Sequence, residues 1–164
     1  MTVVFDADAV PEHERAEVVH ETVAAGFFPV KIDFAADRGP VAANFVLTDW
    51  GELTVCTSVS TAVTLRHTAA LARDHSTPSL FMALQMSGSS VVVQRDRQVV
   101  LRPGDLVVYD STTPWSMSDP DGIRQHKFRI PMDRMALPQA VIGRSCAVKL
   151  APGTAPQRWL LNGP

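Results

Sequence analysis

Short apolar runs separated by turn residues dominate the middle of the chain, between Pro78 and Pro131. These runs cover Ser79–Met86 and then residues 91–93, 99–101, 106–109 and 123–130. Gly, Pro, Asp or Ser interrupts them about every eight to twelve residues, which is typical of an antiparallel sandwich or barrel. At Pro103-Gly104-Asp105 proline fixes φ, glycine accepts a positive φ and the carboxylate can cap the turn. The pattern predicts a mainly β fold.

A helix is predicted ahead of this stretch, from Pro11 to Ala25. Ala16, Val19 and Val23 recur at helical spacing and form an apolar stripe. Proline and glutamate suit the first turn of a helix, and Gly26 would serve as its C-cap.

Further elements are predicted on either side of the central stretch. We expect strands at residues 27–34 (an edge strand, because of Pro29), 41–47, 53–63 and 140–150, a turn at 48–52 and a helical turn at 132–137. Residues 64–74 fit a helix and a strand extension equally well.

The domain organisation follows from length and composition. The chain has 164 residues, of which 46% are hydrophobic and 20% charged, so we expect one globular domain over residues 1–150. Residues 151–164 have the Pro- and Gly-rich composition of a linker and contain the apolar run Trp159-Leu160-Leu161 near their end. We expect this tail to lead into a further domain.

Charge and cysteine content narrow the function classes. A formal net charge of −2 differs from the basic footprint that nucleic-acid binding usually requires. Cys56 and Cys146 lie among small apolar residues without a CxxC motif, which predicts buried, reduced thiols. Acidic residues interrupt the N-terminus, and no apolar run approaches the roughly 20 residues that cross a bilayer. We therefore expect a cytoplasmic protein with no membrane partner.

Five short motifs in the central stretch match a known family in order and spacing. They are Leu84-Gln85-Met86-Ser87-Gly88, Leu101-Arg102-Pro103-Gly104-Asp105-Leu106, Tyr109-Asp110-Ser111, Pro114-Trp115 and Arg129-Ile130-Pro131. The stretch resembles the ligand-binding and dimerisation domain of AraC/XylS-type transcriptional regulators, in the subgroup with a cupin-like barrel ahead of a helix-turn-helix domain. Weaker similarity extends back to the predicted N-terminal helix.

The resemblance implies a cupin-like jelly-roll barrel that senses a small effector, forms a homodimer and controls a C-terminal DNA-binding domain. Nothing in this chain resembles the paired helix-turn-helix units of that second domain. We therefore expect contact with DNA only through a domain absent from this chain.

Metal chemistry is disfavoured by the residues at the metallo-cupin positions. Counted from Gly88 and Gly104, the four ligand positions fall at His75, Thr77, Phe81 and Trp115, so one ligand of four is kept. The other common catalytic motifs are missing as well. Glu52, His67 and His126 remain candidates for a metal-free acid–base pair. We expect no cofactor and no enzymatic activity.

The candidate ligand-binding residues follow from strand alternation. Phe81 and Gln85 share one face of their strand, and Trp115 replaces a metal ligand. On the last long strand, Arg124, His126, Phe128 and Ile130 are placed inward and Gln125, Lys127 and Arg129 outward. The predicted pocket is Phe81, Gln85, Trp115 and His126, with Trp50 and His67 at its periphery.

Two other interpretations remain open. Phe81 and Trp115 can simply fill the barrel, Gln85 can be structural and His126 can lie on the surface. The chain would then be a pure dimerisation module. A stand-alone, metal-independent enzyme of the isomerase or cyclase type is the second alternative.

Overall fold

A computed structural model describes residues 1–74 and 77–150. Its strands are β1 (Thr2–Asp6), β2 (Lys31–Phe34), β3 (Ala43–Trp50), β4 (Leu53–Ser60), β5 (Val63–His67), β6 (Ser79–Ser87), β7 (Ser90–Gln94), β8 (Arg97–Leu101), β9 (Leu106–Asp110), β10 (Trp115–Asp119), β11 (Ile123–Pro131) and β12 (Lys149–Leu150). The helices are α1 (Arg15–Gly26), α2 (Ala69–Ala72) and α3 (Gln139–Ser145). Single 3-10 turns occur at Ala7–Ala9, Glu12–Glu14, Ala36–Arg38 and Met132–Arg134.

The strands form two antiparallel sheets, and the main core unites buried residues of both. The larger sheet has the order β1-β3-β4-β11-β6-β9-β12, and the smaller has the order β2-β5-β10-β7-β8. The strand β11 therefore pairs with β4 and β6, which are distant in sequence. The mainly β barrel expected from the pattern of apolar runs is confirmed.

The N-terminal helix forms one turn later than predicted, and Gly26 has a different role from the one expected. A 3-10 turn precedes α1, and Gly26 is the last helical residue rather than a cap beyond it. A Cβ on Gly26 would lie 2.7 Å from Cδ1 of Leu47 in β3. Glycine is therefore needed here because the end of the helix closely approaches the barrel.

Several predicted boundaries change. The strand expected at 27–34 begins only at Lys31, the one expected at 41–47 shifts to Ala43–Trp50, and the one expected at 53–63 divides into β4 and β5. The predicted turn at 48–52 is reduced to residues 51 and 52. The ambiguous segment 64–74 contains both a strand, which ends at His67, and a short helix. The strand β1 was not predicted; it pairs with β3 along its whole length.

The strand predicted at 140–150 is wrong, because most of this segment forms α3. Ile142 and Cys146 lie four positions apart, and both pack against Leu80 in a second, smaller core. Only Lys149–Leu150 forms a strand, at the edge beside β9.

Both cysteines are buried and free, as expected. Cys56 belongs to the core between the sheets and Cys146 to the core beneath α3. Among the described residues, none of the helices has the length and apolar character of a membrane span. The tail predicted at 151–164 lies outside the described residues.

Candidate ligand-binding site

Strand register orders the inner faces of the two sheets into successive layers of side chains. In the larger sheet, the middle layer contains Leu47, Cys56, Lys127, Ala83 and Val107, which are paired across five strands and are all buried. An aromatic layer lies on one side of it and a polar layer on the other. Alternation along each strand places neighbouring layers two residues apart.

The aromatic layer consists of Phe81, Tyr109, Trp115, His67 and Phe28. The ring of Phe81 stacks on Tyr109 with 5.2 Å between centroids, and Trp115 meets Tyr109 edge-on at 4.8 Å. Phe28 contacts Phe81 edge-on at 4.7 Å. Such contacts fix the rings in defined orientations, so this end of the barrel is closely packed.

His67 has a structural environment within this layer. Its ring stacks on Trp115 at 5.8 Å, and Nε2 lies 3.0 Å from the backbone oxygen of Ser111. Burial lowers the pKa of His67, against the opposing effect of its backbone hydrogen bonds. A neutral ring can donate from Nε2 to Ser111 and so hold the orientation of the indole.

Arg129 connects the aromatic layer to the end of α1. Its Nη1 donates to the backbone oxygen of Phe27 at 2.8 Å, and its Nε donates to Oγ of Ser79 at 3.2 Å. The guanidinium carbon also lies 5.8 Å from the centre of the Phe28 ring. Arg129 thus anchors the segment that leads from α1 into the smaller sheet.

The polar layer is a buried hydrogen-bond cluster of Gln85, Ser90, Asp119 and Gln125. Nε2 of Gln125 donates to Oε1 of Gln85 at 2.6 Å and to Oγ of Ser90 at 2.9 Å. Oγ of Ser90 lies 2.7 Å from Oε1 of Gln85 and also contacts Oδ1 of Asp119. Burial raises the pKa of Asp119 to about 6.

The number of protons in this cluster favours a neutral Asp119. A serine hydroxyl has one proton, and Gln85 offers it only an acceptor. A protonated Asp119 can donate to Ser90, which then donates to Gln85 while accepting from Gln125. Each of these contacts then has its own proton.

Lys127 lies in the middle layer with its ammonium group inside the barrel. The side chain is 5% exposed, and Nζ donates to Oγ of Ser58 at 3.1 Å. Burial lowers the pKa of Lys127, while Cys56 and Asp119 act in the opposite direction. Within residues 1–74 and 77–150, the amine forms no ion pair with a carboxylate. A buried amine without a carboxylate partner costs free energy, so its position calls for a reason.

A cavity of about 70 Å³ lies between α1, the segment 27–34 and the two sheets. Its walls are almost entirely apolar, and its polar side chains are Lys127, Ser58, Ser60, Tyr109 and Trp115. The indole N–H of Trp115 is buried and finds no acceptor among the described residues. Helix α1 contributes Val19 and Val23 to the wall. The site is thus an apolar hollow with a few polar side chains in its wall, as small-molecule sites usually are.

The structure brings together three of the six sequence-predicted site residues. Phe81 and Trp115 line the cavity and His67 packs behind Trp115, whereas Gln85 lies in the polar layer, on the other side of the middle layer. Trp50 lies apart from them at the end of β3 with 70% of its surface exposed. A ligand-binding role for these residues stays a prediction.

The predicted inward face of β11 is wrong. Gln125 and Lys127 point into the barrel, whereas His126 lies on the outer face, where its Nδ1 contacts Oγ1 of Thr57 at 2.9 Å. Arg124 is exposed, and Phe128 and Ile130 are only partly covered. The apolar side chains of Phe128 and Ile130 suggested that their face of β11 points inward. Hydrogen bonds within the polar layer instead allow the face with Gln125 to be buried. Lys127 was missed for this reason, and only its alternation with Gln125 and Arg129 marked the face.

The positions that hold a metal ion in metallo-cupins do not fit one here. Phe81 and Trp115 occupy two of them with rings 6.2 Å apart, and neither ring offers a lone pair for an ion. Thr77 is exposed, and His75 lies outside the described residues. Among the residues that are described, no three His, Cys, Asp or Glu side chains are grouped as a metal site would require.

The three acid–base candidates lie in separate surroundings. Glu52 forms an exposed ion pair with Arg134, His126 lies on the outer face of the larger sheet, and His67 is enclosed in the aromatic layer. The structure does not bring them into one site.

Solved structures that match the chain include an AraC-like transcriptional activator and, at lower TM-scores, a EutQ protein and a cupin barrel protein. The AraC-like transcriptional activator CuxR superposes with a TM-score of 0.67 at 16% identity, over 81% of this chain and 48% of CuxR. The EutQ protein of Clostridium difficile gives 0.43 at 15% identity (56% of this chain, 64% of that chain). A Cupin 2 conserved barrel domain protein from Salinispora arenicola gives 0.40 at 13% identity (62% and 83%). The chain spans about half the length of CuxR.

Sequence comparison defines the family. No curated protein matches the chain. The profile of the AraC-binding-like domain matches residues 19–161, which include most of α1, the barrel strands after β1, and α3. With its cupin-like barrel, the chain belongs to the AraC-binding-like domain family and is a regulatory domain of that type.

Proposed function

We propose that this domain senses a small effector inside its barrel and controls a DNA-binding domain that follows it in an AraC-type transcriptional regulator. The observation that carries the proposal is the apolar cavity containing the buried amine of Lys127. A barrel that served only as a scaffold would be more stable with an apolar residue at this position. The similarity to CuxR supports the regulatory context.

Helix α1 is the element through which the domain would report its occupancy. Val19 and Val23 line the cavity, and Arg129 fixes the end of the helix through the backbone oxygen of Phe27. An effector shifts a conformational equilibrium only by binding one state more tightly than the other. A ligand that contacts α1 directly can meet this requirement.

The proposal also includes a homodimer that acts in the cytoplasm, where DNA would be contacted through the second domain. Val4, Val46 and Val59 are exposed on the outer face of the larger sheet, which is the kind of surface that a partner covers. Sedimentation velocity of the 164-residue chain is expected to show a concentration-dependent dimer. A monomer at all concentrations would remove dimerisation from the proposal.

Effector binding can be tested with Trp115 as the reporter. In a W50F/W159F variant, Trp115 is the remaining tryptophan and lines the cavity. We expect compounds from a library of small apolar metabolites to change its emission saturably and to raise the melting temperature. The matched control is W115F/W159F, in which exposed Trp50 should not respond. If no compound changes emission or melting temperature, the sensing role is wrong and a dimerisation role remains.

We propose a receptor rather than an enzyme, because the candidate acid–base groups are dispersed and the cavity walls are mainly apolar. Compounds that bind should be recovered chemically unchanged after long incubation with the protein, as followed by NMR. Product formation that requires the folded chain would instead support the metal-independent enzyme.

A further inference from the structure

We infer that the effector is a small apolar monocarboxylate whose carboxylate binds beside Lys127 and Ser58 and whose hydrocarbon part fills the cavity. This inference rests on the proposed sensing function and specifies its ligand class. It is drawn from the charge, the hydrogen-bonding groups and the size of the cavity, in that order.

The charge of the cavity favours a single negative charge on the ligand. Lys127 is the one basic side chain among the described residues that line it, and no carboxylate lines it. The nearby Arg129 donates hydrogen bonds to Phe27 and Ser79 and is not among the residues that line the cavity. One ammonium group matches one carboxylate, whereas a phosphate ester usually requires several donors or an arginine fork.

The hydrogen-bonding groups favour a ligand that accepts hydrogen bonds. Nζ of Lys127 has three protons, and Ser58 is the hydroxyl that it contacts. Trp115 also lines the cavity, and its buried indole N–H finds no acceptor in the described part of the chain. Both groups are at least nine-tenths buried, so an acceptor supplied by the ligand would offset their desolvation.

The walls exclude a polyhydroxylated ligand such as a sugar. Apart from the few polar groups named above, they consist of valine, phenylalanine, isoleucine, leucine, alanine and cysteine side chains. A sugar would bury many hydroxyls against carbon atoms, at a cost for each unpaired group. A hydrocarbon chain or ring gains free energy from the same contacts.

The volume limits the size of the hydrocarbon part. The cavity of about 70 Å³ is smaller than the engineered cavity of about 150 Å³ that binds benzene. A short chain fits with small side-chain adjustments, whereas a long one would displace Phe28 or α1. Affinity should therefore rise with chain length, pass through a maximum and fall.

Three ligands of similar shape and different charge test the inference: hexanoate, hexan-1-ol and hexylamine. We expect hexanoate to bind the unmodified chain about tenfold or more tightly than hexan-1-ol, because a hydrogen-bonded charge pair contributes this much. Hexylamine should bind least, since it would bring a second cation to Lys127. Isothermal titration calorimetry of the unmodified chain and the Trp115 emission of the W50F/W159F variant provide independent measurements.

Substitution of Lys127 tests whether this residue causes the preference for the carboxylate. In K127M the preference for hexanoate over hexan-1-ol should disappear while hexan-1-ol still binds, since methionine retains the apolar shape. The matched control is K31M, which removes an exposed lysine of β2 and should bind all three ligands like the unmodified chain. If K127M does not fold, the ligand series on the unmodified chain still decides.

The outcomes separate this inference from the function on which it rests. Equal binding of hexanoate and hexan-1-ol, or tightest binding of hexylamine, overturns the carboxylate and leaves a sensing role intact. Binding of none of the three also overturns the inference, and the sensing role is then decided by the wider library.

Discussion

At the scale of single residues, the interior combines apolar walls with polar groups in defined protonation states. Ser90 has one proton but contacts two acceptors, Gln85 and Asp119, so each contact has its own proton only when Asp119 is neutral, below about pH 6. Lys127 lies one layer away with only a serine as its bonded partner. The polar layer therefore depends on pH through Asp119.

The first prediction concerns the pH dependence of stability. The pKa of Asp119 is raised to about 6 in the folded state, so ionisation of the carboxyl above this pH lowers the free energy of unfolding. This loss disappears below the pKa of Asp119 in the unfolded chain, because the carboxyl is then neutral in both states. The free energy of unfolding should therefore rise relative to D119N as the pH falls from 7 to 4. The difference should be on the order of 3 kcal/mol, measured by urea titration at each pH. The control D33N, which removes an exposed carboxylate paired with Arg66, should follow the unmodified chain. Parallel curves for D119N and the unmodified chain would contradict a neutral Asp119.

The second prediction concerns the aromatic layer. Phe81 is 1% exposed and contacts the rings of Phe28 and Tyr109, so F81A should lower the free energy of unfolding by about 3–5 kcal/mol. V100A, at a half-exposed position of β8, should change it by about 0.5 kcal/mol or less. Similar urea midpoints for the two variants would show that the layer is not rigidly packed.

Sequence reasoning at this scale placed Phe81 and Trp115 in the barrel interior, where both are buried, but assigned the wrong inward face to β11. Phe81 and Trp115 could be found because they replace ligands in a known spacing. The inward orientation of Lys127 could not be predicted, because Lys127 shares its strand face with the polar Gln125. Burial of Gln125 depends on hydrogen bonds to Gln85 and Ser90, which come close to it only in the folded chain. A polar strand face becomes an interior face when distant residues supply its hydrogen bonds.

At the scale of elements, backbone geometry determines which connections tolerate a side chain. Gly122 precedes β11 with a φ of 91°, and a Cβ there would collide with the backbone oxygen of Ser60. Gly51, between β3 and β4, has a φ of 67° but open space around it. A side chain at Gly51 would therefore cause backbone strain alone, whereas a side chain at Gly122 would cause both backbone strain and a steric collision.

The third prediction uses this pair. G122A should lower the free energy of unfolding by about 3 kcal/mol or more, whereas G51A should lower it by about 1 kcal/mol, since only φ strain applies there. Thermal melts followed by circular dichroism provide the comparison. Equal losses would mean that the turn before β11 can move away from Ser60.

The element types were predictable where one strong pattern determines them, as in α1 and β6–β9. They were not predictable at residues 139–150, where Ile142 and Cys146 suit either a helix or a strand. The helix forms because both residues pack on Leu80, and because Nη1 of Arg97 donates to the backbone oxygens of Arg144 and Cys146 at 2.8 and 3.0 Å. These contacts join segments that are about fifty residues apart, and local propensity does not reveal them.

At the scale of the whole molecule, the barrel is completed by elements from both ends of the described chain. The strand β1 pairs with β3 at one edge of the larger sheet, and β12 pairs with β9 at the other. Helix α3 covers Leu80 and Val108 on the outer face of that sheet. Residues up to Leu150 should therefore form one cooperative unit.

The fourth prediction tests this boundary. A chain truncated after Leu150 should melt within about 2 °C of the 164-residue chain, because the described pairings are retained. A chain truncated after Ala136 loses α3 and β12, exposes the second core and should melt at least about 10 °C lower, as differential scanning calorimetry would show. If the first truncation also lowers the melting temperature strongly, the domain extends beyond residue 150.

The position of Arg129 two residues after Lys127, on the same face of β11, has a consequence for redesign. Under the inference of a carboxylate ligand, Lys127 would select the effector, whereas Arg129 holds the end of α1 through the backbone oxygen of Phe27. Effector recognition and the contact that positions α1 would then both depend on β11. Substitutions on this strand that change effector specificity would therefore also alter the response of α1 to the effector. A designer who wants a new inducer with an unchanged output should keep Arg129 and alter the opposite wall.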